Sequence, residues 1–361
     1  MKRIAAGLLA TLLFGVWIRW RLAGVPIFTS LEQIPFSFAR HAHSHLGYYA
    51  LLIPLAWSAW AVRGQRALSF AESTVYGVAT VLATVGFLRA GYGVLAIVGS
   101  TVVALQWMLA AWRMTRAAPV GDLLRLMFPG TLFSLAWIPV IAISLRRDPA
   151  LSAAAVQTFL AALMFTVVVP SALVARGILR QGPPPLVAAL GLGGAVALGA
   201  WNGWPARLFL AGYALWWLSA LRTRKEAIPE STRSADGPFP LRLSLPWAAA
   251  GLGLLAMSSG LVPAAHDIGI AAVHYLVLGP LLPMFVDGQM RTRLRAWSWA
   301  VYQASVAAFA TCIALRAFVP AAWPTRWAAI MGTFLLLWWS LALWRSRSGA
   351  SNAPVRKVHA A

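Results

Sequence analysis

Residues 94–112 read VLAIVGSTVVALQWMLAAW, 19 consecutive residues without a charge. A helix that crosses a bilayer needs about 20 mostly apolar residues, so this stretch alone predicts a membrane-spanning helix. Runs of the same kind recur on both sides of it. Counting them predicts spans near 4–20, 46–62, 72–92, 94–112, 127–145, 151–175, 184–201, 204–221, 244–263, 266–286, 297–319 and 325–344. Only Arg89-Ala90-Gly91-Tyr92-Gly93 separates the third from the fourth. The expected fold is all-α, a polytopic transmembrane bundle of about 12 helices, in a bacterial inner (plasma) membrane with the lipid bilayer as its main partner.

Composition agrees. The chain has 361 residues, 60% hydrophobic and only 11% charged, against roughly 25% charged in a soluble domain. Its nine acidic residues avoid the middles of the apolar runs. Many tryptophans stand near run ends, as at Trp17 and Trp20, Trp57 and Trp60, Trp216 and Trp217, and Trp338 and Trp339. Such half-apolar rings suit the headgroup level, and some will pack between helices instead.

The net charge of +21 does not signal nucleic acid, because the basic residues form short clusters between apolar runs rather than one soluble face. With the N-terminus inside, 21 of the 30 Lys and Arg fall on the side of the termini. That excess predicts cytoplasmic N- and C-termini, N-in and C-in. Met1-Lys2-Arg3 and the apolar run after it imitate a signal peptide, but no small-residue cleavage site comes after them, so the segment reads as a retained first span.

The polar, proline-containing stretch from Arg222 predicts a linker. The expected organisation is 1–221 with about eight helices, a cytoplasmic linker loop at 222–243, 244–345 with about four helices, and a basic cytoplasmic tail at 346–361. No internal repeat is visible in the sequence.

The chemistry-bearing residues are histidines. Three lie within five positions, His41-Ala42-His43-Ser44-His45, where the second span begins. If the helix reaches back that far, His41 and His45 share a face and His43 points about 200° away. His266 and His274 belong to the tenth span, with Asp267 placed to orient an imidazole through its second nitrogen. The loops before spans two and ten are both odd-numbered, so the predicted topology brings all five histidines to the outer face. His359 belongs to the tail. With Cys312 the only cysteine, a metal here must be held by nitrogen or oxygen, and imidazole suits haem iron, copper and zinc. The plain alternative is that histidines at the headgroup boundary simply bond water and lipid phosphate.

His41-Ala42-His43 before an apolar helix, with His274 followed by Gly279 in a later one, resembles the NnrS family of twelve-span haem- and copper-containing membrane proteins linked to nitric oxide stress. The layout is also similar to catalytic-subunit-like members of the haem–copper oxidase superfamily, with His43-Ser44-His45-Leu46 and Ala50 in the matching positions. The chain departs from the first pattern at Ser44, where the family has an acidic residue, and at Asp287–Arg291, which holds no histidine. The resemblance implies haem and/or copper bound by His41, His43, His45 and His274, with His266 a further metal ligand. Asp267, Tyr48 and Tyr275 would support them, and the site would handle a redox partner or a gas ligand.

Other features have structural readings. Pro54, Pro139, Pro170, Pro280 and Pro283 fall inside spans, where neighbours must satisfy the carbonyls they free. Gly191, Gly193, Gly194 and Gly199 suit close helix packing. Tyr48, Tyr49 and Tyr275 can anchor at the interface or donate hydrogen bonds. The competing functional classes are a metal-free membrane transporter or permease and a lipid enzyme using histidine as acid and base. No acidic or lysine side chain sits mid-span to couple ions, which counts against the first. The second lacks an acidic cluster.

Overall fold

A computed structural model describes residues 2–61, 67–118, 127–144, 149–168, 265–283 and 296–350, with residues 125, 147, 171 and 172 besides. The predicted spans near 184–201, 204–221 and 244–263, the linker at 222–243 and most of the tail lie outside the described residues. So do Pro170 and the four glycines between 191 and 199.

The regular elements are helices α1 (Lys2–Leu22), α2 (Phe36–Leu46), α3 (Ile53–Ala61), α4 (Phe70–Ala90), α5 (Val94–Ala117), α6 (Met127–Ser144), α7 (Pro149–Ala162), α8 (Ala265–Leu276), α9 (Ala296–Leu315) and α10 (Trp323–Ala350). Three π-helical segments adjoin them: π1 (Gly47–Leu52) between α2 and α3, π2 (Leu163–Val168) after α7, and π3 (Val277–Leu281) after α8. No strand occurs among the described residues. Among the described residues six helices, Arg3–Leu22, Phe70–Ala90, Val94–Ala117, Met127–Ser144, Trp297–Leu315 and Trp323–Arg345, are long and apolar enough to cross a membrane. The chain is a multi-pass membrane protein.

Its outer surface is apolar, as lipid contact requires. Val81 on α4 is 61% exposed and Leu105 on α5 is 58% exposed; water would penalise both, whereas hydrocarbon does not. Several buried serine and threonine hydroxyls return to their own helices, as in Thr80 to Tyr76 O (2.9 Å), Ser134 to Gly130 O (2.8 Å) and Ser171 to Val167 O (2.6 Å).

The five-residue break between the third and fourth runs is a tight hairpin. Gly91 closes α4 at φ +57°, and a Cβ there would stand 2.8 Å from the Phe38 ring, so only glycine meets both demands. At the other end Glu72 caps α4 reciprocally with Ser69. It also pairs through both oxygens with Arg113 of α5, at 2.7 Å each.

The second helix begins at Phe36, ten residues before the expected start at 46. Its polar appearance hid it. Ala39 and Ala42 are fully buried, one against Trp17 and Ile18 of α1 and the other among Ala83, Phe87 and Ala96 of the hairpin. Two small residues three positions apart make one face, and Ser37 and Arg40 are exposed elsewhere on the helix. All three clustered histidines are therefore helical.

The tryptophans divide. Trp297 and Trp344 are exposed near helix ends, while Trp17, Trp299 and Trp339 are fully buried. Trp299, Trp338 and Trp339 gather around Tyr302, with ring centroids 5.8, 4.5 and 5.6 Å from it. For Trp17 and Trp339, packing between helices replaces the expected place at the headgroups.

Candidate functional site at the histidine end of the bundle

The end of the bundle formed by the α1–α2 connection and the α4–α5 turn holds His41, His43 and His45, three of the described histidines. Arg21 ties that connection down. It pairs with Glu32 (3.0 Å) and donates to Ile34 O and Glu32 O, which fixes where α2 starts.

The run 41–45 splits across two sides of α2, as its helical spacing requires. His43 faces α1. Its ring lies parallel to that of Phe14 with centroids 6.4 Å apart, and a Cβ on Gly15 would stand 3.1 Å from its Cε1. His43 Nδ1 is buried and has no hydrogen-bond partner. His41 and His45 face the α4–α5 turn instead. His45 stacks on Phe87 at 4.0 Å and meets the edges of Tyr49 and Tyr92 at 5.5 and 5.9 Å. His41 meets Tyr92 at 4.9 Å.

His274 reaches the His43 side. The two lie within electrostatic range of each other, and Arg19 of α1 lies within range of both. Arg19 is four residues beyond Gly15, on the same face of α1. Its guanidinium sits 5.7 Å above the Phe309 ring, whose centroid is 5.4 Å from that of His274. Through Gly15 and Arg19, α1 thus links His43 of α2 to Phe309 of α9 and, beyond it, His274 of α8. Sequence reasoning passed over Gly15, Arg19 and Phe309. The available signal was the spacing of Gly15 and Arg19 near the end of a span, an arginine inside an apolar helix being a functional candidate by default.

Two of the imidazoles have a fixed tautomer. His274 Nδ1 lies 2.7 Å from Ile270 O and His45 Nδ1 lies 2.9 Å from His41 O. A carbonyl can only accept, so Nδ1 carries the proton in each, and Nε2 keeps its lone pair. A second-nitrogen hydrogen bond to a backbone carbonyl is the common way an imidazole is oriented for a metal.

Among the described residues no three side chains of His, Cys, Asp or Glu group together to hold a metal ion. His43 and His274 offer one imidazole each. The side chains of His266 and Asp267 lie outside the described residues. Tyr48 packs against Phe159, with His45 6.2 Å away. The part-buried Tyr275 hydroxyl donates to Ala307 O of α9 at 3.4 Å.

Both histidine helices then pass into π segments. In π1 the Ile53 N–H bonds Tyr48 O, and in π3 the Leu282 N–H bonds Val277 O. Each bond spans five residues, and the next residue is a proline, Pro54 or Pro283, which has no N–H to continue. The carbonyls left over are Tyr49 O and Leu278 O. The Tyr76 hydroxyl of α4 donates to the first (2.6 Å) and the Tyr302 hydroxyl of α9 to the second. π segments of this kind are frequent at functional sites.

Comparison of the chain with protein-family models, with curated proteins and with solved structures gives no match.

Proposed function

We propose that this protein binds haem and/or copper in the membrane through His43 and His274 and works in redox or gas-ligand chemistry of the nitric oxide or respiratory kind. The observation that carries this reading is a pair of imidazoles from helices far apart in sequence, linked through Gly15, Arg19 and Phe309, one with Nε2 left unprotonated by its bond to Ile270 O and the other with an orphaned, buried Nδ1. A buried polar nitrogen without a partner costs free energy, and a bound metal offsets that cost. Two protein nitrogens with no third donor suit haem iron first, because the macrocycle supplies its other four ligands, and copper(I) second.

Bound there, haem iron or copper supplies reversible one-electron chemistry. The chain's own residues do the rest. Ile270 O holds the orientation of His274, Gly15 leaves space for the His43 ring, and Arg19 brings a cation to the same face, suited to an anionic group of the ligand. The excess of basic residues toward the termini supports N-in, C-in orientation in a bacterial plasma membrane and so puts this end of the bundle at the periplasmic face.

An optical spectrum of the purified full chain, with haem, copper and zinc measured per chain, tests the reading. Haem or copper bound near one per chain, and lost in folded His274→Ala, supports it. A folded wild type free of all three overturns it, and the metal-free transporter then takes its place.

A further inference from the structure

α2 and α8 are built to one plan although 229 residues separate His45 from His274. In each helix the histidine bonds the carbonyl four residues back, and a proline stands nine residues ahead, Pro54 or Pro283. The carbonyl four residues ahead, Tyr49 O or Leu278 O, accepts a tyrosine hydroxyl from the neighbouring helix. The second carbonyl that each proline deprives is treated differently in the two helices. Gly279 O accepts from the Gln303 side-chain amide (3.0 Å), and Ala50 O lies directly against Gly7 of α1.

The α9 side of this arrangement is costly to build. Tyr302 and Gln303 are both buried. The Tyr302 hydroxyl, which donates to Leu278 O, accepts from Trp339 Nε1 at 3.3 Å. The Gln303 amide is buried for the bond to Gly279 O, while its own oxygen has no partner. Burying an amide for one bond is unfavourable unless that bond holds something in place. A π segment adds a residue to the turn and so resets the rotation of the helix before it relative to the helix after it. Whatever clamps it sets the direction in which the histidine one turn earlier is aimed.

We infer that Tyr302 and Gln303 are positioning residues for His274, and Tyr76 for the histidines of α2, each acting by clamping a proline-freed carbonyl of a π segment. This rests on the reading of His43 and His274 as ligands, but it concerns the aim of the imidazoles and can be read without a metal.

The experiment compares full-length wild type with Tyr302→Phe, Gln303→Leu and Tyr76→Phe in detergent. The probe is diethyl pyrocarbonate, with the labelling rate of each histidine read by peptide mass spectrometry, alongside the optical spectrum. The expected result is helix-specific. Tyr302→Phe and Gln303→Leu each speed labelling of His274 by about fivefold, the opening that loss of one ordinary hydrogen bond permits, and leave His43 and His45 at the wild-type rate. Tyr76→Phe does the reverse. Any bound haem shifts its spectrum in the same variants. General loosening of the bundle would move both helices together, so equal changes at α2 and α8, or none, overturn the inference. If Tyr302→Phe does not fold, Gln303→Leu carries the α8 arm. A wild type without haem or copper refutes the proposed ligand while the labelling pattern still decides the positioning role.

Discussion

The ring of His43 rests on Gly15: a Cβ at residue 15 would stand 3.1 Å from Cε1 and 3.6 Å from Nε2. That contact ties the first helix to the imidazole and makes it a handle on the site. Gly15→Leu is expected to displace the ring and lower haem or copper per chain below half of wild type while the protein still folds. Gly47→Ala is the control, because its Cβ would meet only Thr11 Cγ2, at an ordinary 3.5 Å. Equal metal content in both variants would remove His43 from the site.

The division of the histidine run predicts unequal roles. His43→Ala should abolish occupancy, as loss of a ligand opens a coordination position. His41→Ala and His45→Ala act on the opposite side of α2, among Phe87 and Tyr92, and should leave most of it. Haem and metal per chain, measured on the three purified variants, decide this. Collapse in His45→Ala with retention in His43→Ala would assign the site to the other side of the helix.

Two glycines should respond in opposite directions to the same change. A Cβ on Gly7 would stand 2.0 Å from Ala50 O, a backbone atom that cannot step aside, whereas nothing lies within 4 Å of one on Gly77. Gly7→Ala is expected to cost about 1–3 kcal/mol, as overpacking does. Gly77→Ala, in the body of α4, should gain up to about 1 kcal/mol from helix propensity. Thermal unfolding in one detergent, followed by circular dichroism, gives both signs.

Orientation is tested separately. A reporter fused after Ser234 should be active only in its cytoplasmic form, since 21 of the 30 basic residues fall on the side of the termini and the linker. Periplasmic activity would invert the bundle and put the histidine end inside.

Much of this organisation was legible in the sequence because lipid enforces it. A segment in hydrocarbon must satisfy its backbone internally, so residues 94–112 had little choice but a helix, and α1, α4, α5, α6, α9 and α10 lie close to the runs counted for them. The start of α2 was not legible. Its buried face consists of Ala39 and Ala42, too small to register as hydrophobic beside Arg40 and three histidines. The prolines were read as kinks needing neighbours, but Tyr76, Tyr302 and Gln303 could not be named from sequence, since the donors sit on other helices.

By itself the sequence determined a multi-pass helical membrane protein, with its histidines collected near the starts of two helices and no thiolate to compete with them. The 3.6-residue period further required that His43 part company with His41 and His45 once the helix included all three. What each side meets was decided only by tertiary structure, because it depends on the placement of α1 and of the α4–α5 turn. Gly15 meets His43 where α1 packs on α2, while Arg19, one turn further along α1, lies over Phe309, which His274 reaches from 231 residues beyond His43. The common plan of α2 and α8 was likewise hidden. It consists of backbone carbonyls freed by proline and the side chains that answer them, and that pairing becomes visible only when the helices are packed together.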